Sequence, residues 1–509
     1  MRRAFLLLFL LGAWPVWVVR IPPLQDLPNH LAAAVVQAHP AAYPELVSNG
    51  FWKTNSALFL FLHLLGGPLG LVLAAKLFVT LTIAAGAWAY PHVIERFAGR
   101  EKVYGAALVL WPMVHNWFVA MGMLDYALAV PLALETLVWL DASVRKPSAG
   151  AAVAAAACAM LAWYAHAFAV IVLVLLVGVE CLRPPRDVKR IWRLWLPLLP
   201  AVALTAASAL TQLASETRAG AVGTELRGVL GLAYGAFSEW LWSMTKWTAV
   251  AAVAGATLAW FGARRFRESY PFFSPAAFAA LGVLYLLLPY HTHRWFYVGS
   301  RLLPFLWMAC ALRVPPTLRP GLRGLLAASA VAWSVGLGFE YVQTAHDWDE
   351  LRRAEVAVPE GSRLLPLVFD RKGPHGENTW PMLHSWGLFV VDRQTSAPLL
   401  FAHSRSFPVT YAHEPPPRFH QLNLEAFPKA MATSKAYCAE ITESVVLDDC
   451  AEHYRSAWKE FWADASPRFD RVLMYHPSDE VRAAIPEDFD VVYDVNGVVV
   501  LAHRGAAKG

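Results

Sequence analysis

The sequence predicts an α-helical polytopic membrane protein of about eleven transmembrane helices, carrying a C-terminal α/β soluble domain. Three observations predict it. Of 509 residues, 57% are hydrophobic and only 16% charged, too apolar for an ordinary soluble domain. Apolar runs long enough to cross hydrocarbon recur from the N-terminus onward, separated by short basic loops. From about Thr344 the composition turns polar and strand-like runs replace them. The 22 Trp and 35 Pro fit the same class, since Trp favours membrane interfaces and bundled membrane helices tolerate Pro.

The apolar segments run near 4–19, 69–91, 103–119, 124–141, 149–165, 166–182, 194–213, 244–262, 272–290, 298–312 and 324–340. The first follows Met1-Arg2-Arg3 as a secretory signal would. It places Trp14, Pro15 and Trp17 where a cleavage site needs small residues, so it reads as an uncleaved helix. Ala149 to Leu182 is too long for one span and divides at Trp163-Tyr164-Ala165-His166, an aromatic and polar patch suited to an interface. Asn55 to Gly67 is apolar but too short to span and ends at Gly66-Gly67-Pro68, which predicts an interfacial or re-entrant helix in a first outer loop covering 20–68.

With the N-terminus in the cytoplasm, Lys and Arg divide between inner and outer segments by roughly three to one, which sets both the orientation and the odd number of spans. The net charge of +5 arises from these loops, so nucleic-acid binding is excluded. The expected division is a bundle over 1–343 and an outer domain over 344–509. In the latter, strands are expected at Arg363–Asp370, Gly387–Asp392, Pro398–Phe401 and Arg471–Tyr475, and helices near 422–434 and 450–463. Asp490–Asp494 and Val498–Leu501 flank Val495-Asn496-Gly497, a hairpin turn. Cys158, Cys181 and Cys310 sit in or beside apolar helices as small core residues. Cys438 and Cys450 alone lie in the polar region and suggest a disulfide in an oxidising compartment.

Polar side chains near the spans gather on the predicted outer face: Asp26, Asn29, His30, His115, Asn116, Asp125, His166, Glu239, His291, His293, Arg294 and Arg301. Ionisable groups at membrane depth are costly and usually mark a functional cavity. The first loop reads Pro22-Pro23-Leu24-Gln25-Asp26-Leu27-Pro28-Asn29-His30, and a helix starting just after Asp26 puts Asp26 and His30 on one side. Asp is equally a favoured N-cap and Pro a favoured first-turn residue, so from the motif alone capping stands ahead of chemistry by about two to one.

The layout resembles the GT-C superfamily of membrane glycosyltransferases, in a poorly characterised bacterial branch. The likeness lies in a short first helix, a long first outer loop with an acid near its start, interfacial helices, a multi-helix bundle and an outer C-terminal domain. It implies that Asp26 is the catalytic base, with His30 beside it. Met121-Gly122-Met123-Leu124-Asp125-Tyr126-Ala127 resembles the element that carries a second acid, which makes Asp125 its counterpart. The first loop departs from the pattern in lacking a paired Asp-x-Asp or Glu-Asp. The resemblance further implies a polyprenyl-phosphate sugar donor, a lipid, glycan or protein acceptor, surrounding membrane lipids and a bacterial inner membrane, with the C-terminal domain periplasmic.

Such a transfer needs a carboxylate to take the acceptor proton and cations to stabilise the departing phosphate. His291, His293, Arg294 and Arg301 are candidates for the second role, or else an interface belt of His, Arg, Tyr and Trp. Lys76 is a phosphate contact or a snorkelling residue, and His166 is a further candidate on the same face. His291 and His293 with Asp26 or His30 can also hold a divalent metal, but His-x-His without a third ligand fixed by spacing does not establish one. Two other readings stay open, a transporter or lipid flippase and a catalytically inactive scaffold. No internal repeat and few mid-membrane charges speak against the first.

Overall fold

The computed structural model describes residues 1–184, 186–215, 222–242, 250–293, 295–403, 405–441 and 447–505. The bundle begins with α1 (Arg2–Ala13), α2 (Leu27–Ala38), α3 (Ala57–Leu69), α4 (Leu71–Ala98), α5 (Val103–Val114), α6 (Trp117–Ala120) and α7 (Leu124–Arg145). It continues with α8 (Ala149–Ala165), α9 (Ala167–Cys181), α10 (Val188–Trp195), α11 (Leu199–Ser215), α12 (Val229–Ser238), α13 (Ala252–Arg264), α14 (Pro275–Leu287), α15 (Leu303–Ala311) and α16 (Pro320–Arg352). Every predicted span falls on one of these helices, that of 244–262 only on its described part. Among the described residues five helical stretches are long and apolar enough to cross a membrane: Leu71–Ala98, Arg100–Ala120, Leu124–Arg145, Val188–Thr211 and Pro320–Ala357.

Small residues set how closely the helices approach. Ala151, Ala155, Ala159 and Ala162 form one buried face of α8, which packs most extensively on α7. The Trp14 indole sits where a Cβ on Gly338 would be, so α1 and α16 meet in close contact. Trp14 Nε1 donates to Ser334 Oγ at 2.7 Å, and Ser334 Oγ in turn donates to the Leu11 carbonyl at 2.7 Å. The first helix is thus built into the bundle.

The composition change at Thr344 marks no break in the backbone. α16 runs on through buried Thr344 and Asp347 to Arg352, and one continuous apolar core extends from α1 into the C-terminal region. There β5 (Leu364–Val368), β7 (Arg471–Tyr475), β8 (Phe489–Val495) and β9 (Val498–His503) form a sheet ordered β5-β7-β9-β8, with β5 and β7 parallel and the other pairs antiparallel. Parallel neighbours need a long crossover, and here it carries α17 (Gly387–Arg393), α18 (Gln421–Ala430), α19 (Ser434–Ile441) and α20 (Leu447–Ala465). The hairpin turn narrows to Asn496-Gly497, with φ of 52° and 77°, the left-handed pair of a type I′ turn. Cys438 and Cys450 are joined in a disulfide between α19 and α20, their Cα atoms 6.0 Å apart.

Two predicted strands are corrected. Gly387–Asp392 is helix α17, because a short apolar run does not tell strand from helix and this one packs against α2. Pro398–Phe401 forms turns, with Leu400 and Phe401 at φ of 78° and 55°. Two further short ladders matter for the site. β1 (Leu46–Ser48) of the first loop pairs with β6 (Val409–Tyr411), tying that loop to the C-terminal region. β2 (Val222–Glu225) pairs with β3 (His291–His293), which pairs with β4 (Trp295–Phe296).

Candidate active site

Asp26 is placed by its backbone. Gln25 N donates to the Ala120 carbonyl at 3.0 Å and Asp26 N to that of Met121 at 3.1 Å. The contact requires Gly122, which has φ of 82° and whose Cβ, if present, would stand 2.9 Å from Asp26 N. α2 starts at Leu27 with Asp26 in the capping position, yet the carboxylate caps nothing. The usual N-cap has extended backbone, whereas Asp26 has φ −92° and ψ −6°, and Pro28 removes one N–H that a cap would satisfy. The side chain therefore points elsewhere.

Its destination is a residue of the C-terminal region that sequence reasoning missed. Asp26 Oδ1 accepts from His384 Nδ1 at 2.9 Å and from Gln25 Nε2 at 3.3 Å, and His384 Nε2 lies 3.1 Å from Glu425 Oε1. His384 is only 3% exposed and Asp26 13%. Burial disfavours the charged imidazole, but the hydrogen bonds and charges of Asp26 and Glu425 outweigh it and push its pKa up to about 9, so it stands as an imidazolium between two carboxylates. Burial likewise opposes ionisation of Glu425, but His384 and Gln421 overcome it and lower its pKa. Among the described residues Asp26 Oδ2 accepts no hydrogen bond, which leaves one carboxylate oxygen for a proton.

His30, one turn along α2, brings Nε2 within 3.1 Å of the Gly122 carbonyl and interacts electrostatically with Asp26. Burial lowers its pKa, so it is neutral beside the charged pair. Phe401 stands edge-on to the His384 ring at 5.0 Å and tilted to the His30 ring at 6.0 Å, forming an apolar wall. Among the described residues, the buried amide of Asn29 and the Nδ1 of His30 have no hydrogen-bond partner.

A second cluster surrounds Arg301. Its guanidinium lies 5.7 Å from the ring centres of Tyr126 and of Phe168, and the Tyr126 hydroxyl donates to the Arg301 carbonyl. Arg301 is 8% exposed, and its side chain has neither a hydrogen bond nor a carboxylate partner among the described residues. His166 stacks edge-on against Tyr126 at 5.3 Å and interacts electrostatically with Arg301. Tyr297, at φ of 59°, accepts from Arg301 N at its carbonyl at 3.3 Å and packs edge-on against Trp117 at 4.9 Å.

The remaining candidates lie apart from these two groups. Asp125 Oδ1 accepts from Leu58 N at 2.8 Å, and Ala57 N also bonds the carboxylate, so Asp125 caps α3. Lys76 Nζ donates to the Val19 carbonyl at 2.7 Å and lies 5.1 Å from the Trp17 ring centre, serving the end of the first span. His291 Nδ1 pairs with Glu225 across β2 and β3 at 3.2 Å. The side chain of His293 and the whole of Arg294 lie outside the described residues. His115 is fixed between the Gly12 carbonyl and the Tyr341 hydroxyl, both at 2.8 Å, and Asn116 caps α6. Glu239 accepts from Ser300 Oγ and pairs with Arg227. No group of three or more His, Cys, Asp or Glu among the described residues is arranged to hold a metal ion.

No family model matches the chain, and no curated protein matches it. Among solved structures, it is similar to the crystal structure of ArnT from Cupriavidus metallidurans bound to undecaprenyl phosphate. The match covers 98% of this chain and 96% of that one, at a TM-score of 0.52 and 13% identity. A likeness that runs nearly the full length of both chains gives this protein the same overall fold as that solved structure.

Proposed function

We propose that the protein is a membrane glycosyltransferase that moves a sugar from a polyprenyl-phosphate donor to a hydroxyl of a lipid, glycan or protein acceptor, with inversion. Asp26 Oδ2 takes the acceptor proton as the acceptor oxygen attacks the anomeric carbon, and the bond from that carbon to the phosphate oxygen breaks. Arg301 receives the charge released on the phosphate, with His166 and Tyr126 shaping its surroundings. Asp125 contributes by fixing α3.

The observation that carries this reading is Arg301, a buried guanidinium without a counter-ion among the described residues, on a fold whose solved neighbour holds a phosphate-bearing lipid. An isolated buried cation is costly, and an anionic ligand removes the cost. The site end of the bundle is then the outer, periplasmic face and the N-terminus is cytoplasmic, a placement supported by the basic loops and by the Cys438–Cys450 disulfide.

The test uses full-length protein in nanodiscs with a panel of undecaprenyl-phosphate-linked hexoses and pentoses, scored by release of undecaprenyl phosphate in the presence of membrane extract as acceptor source. Turnover is expected with at least one donor, and Asp26→Asn is expected to lower it by about 10²- to 10⁴-fold with folding intact. Unchanged turnover in Asp26→Asn removes Asp26 as the base. Absence of both turnover and undecaprenyl phosphate binding removes the glycosyltransferase reading.

A further inference from the structure

We infer that the C-terminal segment Trp380–Arg393 is the positioning element of the base, with His384 as the side chain that aims Asp26, so that one site is shared by both halves of the chain. The inference rests on the functional reading above. The segment grips the first loop at three successive points. Trp380 N donates to Gln25 Oε1 at 2.7 Å, His384 holds Asp26 Oδ1, and Gly387 lies so close to the start of α2 that its Cβ would stand 2.6 Å from the Pro28 carbonyl oxygen. A latch that only joined two domains would not need a buried charge at its centre. Here the middle contact is an ionic hydrogen bond to the carboxylate that the helix leaves uncapped.

His384 is itself oriented from behind. Glu425 on α18 takes its other nitrogen, and Gln421 Nε2 donates to the same Glu425 oxygen at 2.7 Å. Arg371 bonds the Glu425 carbonyl, fixing that turn of α18. The charged and titratable groups facing His384 are thus Asp26 from the first loop, Glu425 from α18 and His30 from α2, with His403, Tyr411 and Arg371 interacting with Glu425 one step further out. With Oδ1 engaged, Oδ2 is the oxygen left to accept the acceptor proton. During transfer the acceptor O–H bond breaks and the Asp26 Oδ2–H bond forms, while His384 keeps its own proton throughout. The raised pKa of His384 agrees with this static role.

The experiment compares His384→Gln and Glu425→Gln with Asp26→Asn in full-length protein, using the undecaprenyl-phosphate-linked sugar that the wild type turns over and undecaprenyl phosphate itself as the binding probe. For His384→Gln, kcat is expected to fall about 100-fold, as for a reacting group misplaced by about an ångström, with donor KM and undecaprenyl phosphate affinity changed less than about twofold. Glu425→Gln is expected to show a smaller fall in kcat in the same direction. As a measurement independent of turnover, a cryo-EM structure of His384→Ala is expected to show the Asp26 carboxylate spread over more than one rotamer. His384→Gln with kcat within about twofold of wild type, while Asp26→Asn is inactive, overturns the positioning role and leaves the functional reading standing. So does a single unchanged Asp26 rotamer in His384→Ala. Full activity in Asp26→Asn overturns the positioning role together with Asp26 as the base, and leaves the glycosyltransferase reading standing.

Discussion

Two arginines flank the same short helix and have opposite circumstances. Arg313, just past the end of α15, is completely buried, and its guanidinium donates to the carbonyls of Arg265, Phe266, Glu268, Phe273 and Ala309 at 2.7–3.2 Å. Arg301, just before the start of α15, is almost as buried, and its guanidinium donates to none of the described residues. Burial alone therefore does not separate a structural cation from a functional one. The state of its donors does, since a satisfied guanidinium is part of the framework and an orphaned one leaves room for an anion.

The difference can be broken or sharpened by substitution. The largest effect is expected from Arg313→Met, which leaves five carbonyls short of a donor and should cost about 3–5 kcal/mol, read as a lowered thermal midpoint in nanodiscs. Next, Arg301→Met should weaken undecaprenyl phosphate binding by about 1.5–3 kcal/mol, the range of a hydrogen bond to a charged group, measured by titration at fixed salt. His384 is a third buried cation, satisfied by two carboxylates, and it makes the comparison pH-dependent. Its pKa is raised from an ordinary 6.5 to about 9, so the stability it contributes is full below about pH 6.5 and lost as pH rises through about 9. Thermal midpoints should fall over that interval by the equivalent of about 1–3 kcal/mol, and His384→Gln should flatten the decline. The smallest effect is expected from Arg301→Met on the ligand-free protein, whose stability should stay within about 1 kcal/mol of wild type or rise, because no partner is left unpaired. A loss as large as that of Arg313→Met would make Arg301 structural as well.

The bundle was legible because hydropathy and loop charge act over whole segments, so each apolar run found its helix even where its ends moved. Asp26 was legible as a candidate, but its capping and catalytic roles were not separable from the motif. They diverge only because Met121 and Gly122, remote in sequence, fix its backbone outside the capping conformation. His384 and Glu425 carried no local signal. His384 meets Asp26 across 358 residues and Glu425 across 41, from a stretch whose turns and short α17 have no periodicity to read. The glycines that would have helped, Gly122 and Gly387, matter for the atoms that approach them, and sequence does not show which atoms those are. Lys76 and Asp125 illustrate the converse, polar residues in promising places whose bonds go to a carbonyl and to a helix end.

α16 joins these observations mechanically. It is a single helix of 33 residues, about 50 Å long at 1.5 Å per residue, with no proline in its interior. Its middle is tied to the bundle through Tyr341 and His115 at 2.8 Å, and its far end holds the Pro381 carbonyl through Trp348 Nε1 at 3.0 Å, three residues before His384. A rod anchored this way converts a change of tilt at its membrane end into a displacement at Asp26's holder. Under the proposed function, bilayer thickness, which bears on the tilt of a long apolar helix, becomes a variable of the reaction, and lipids of different chain length are expected to change turnover with the sequence unaltered.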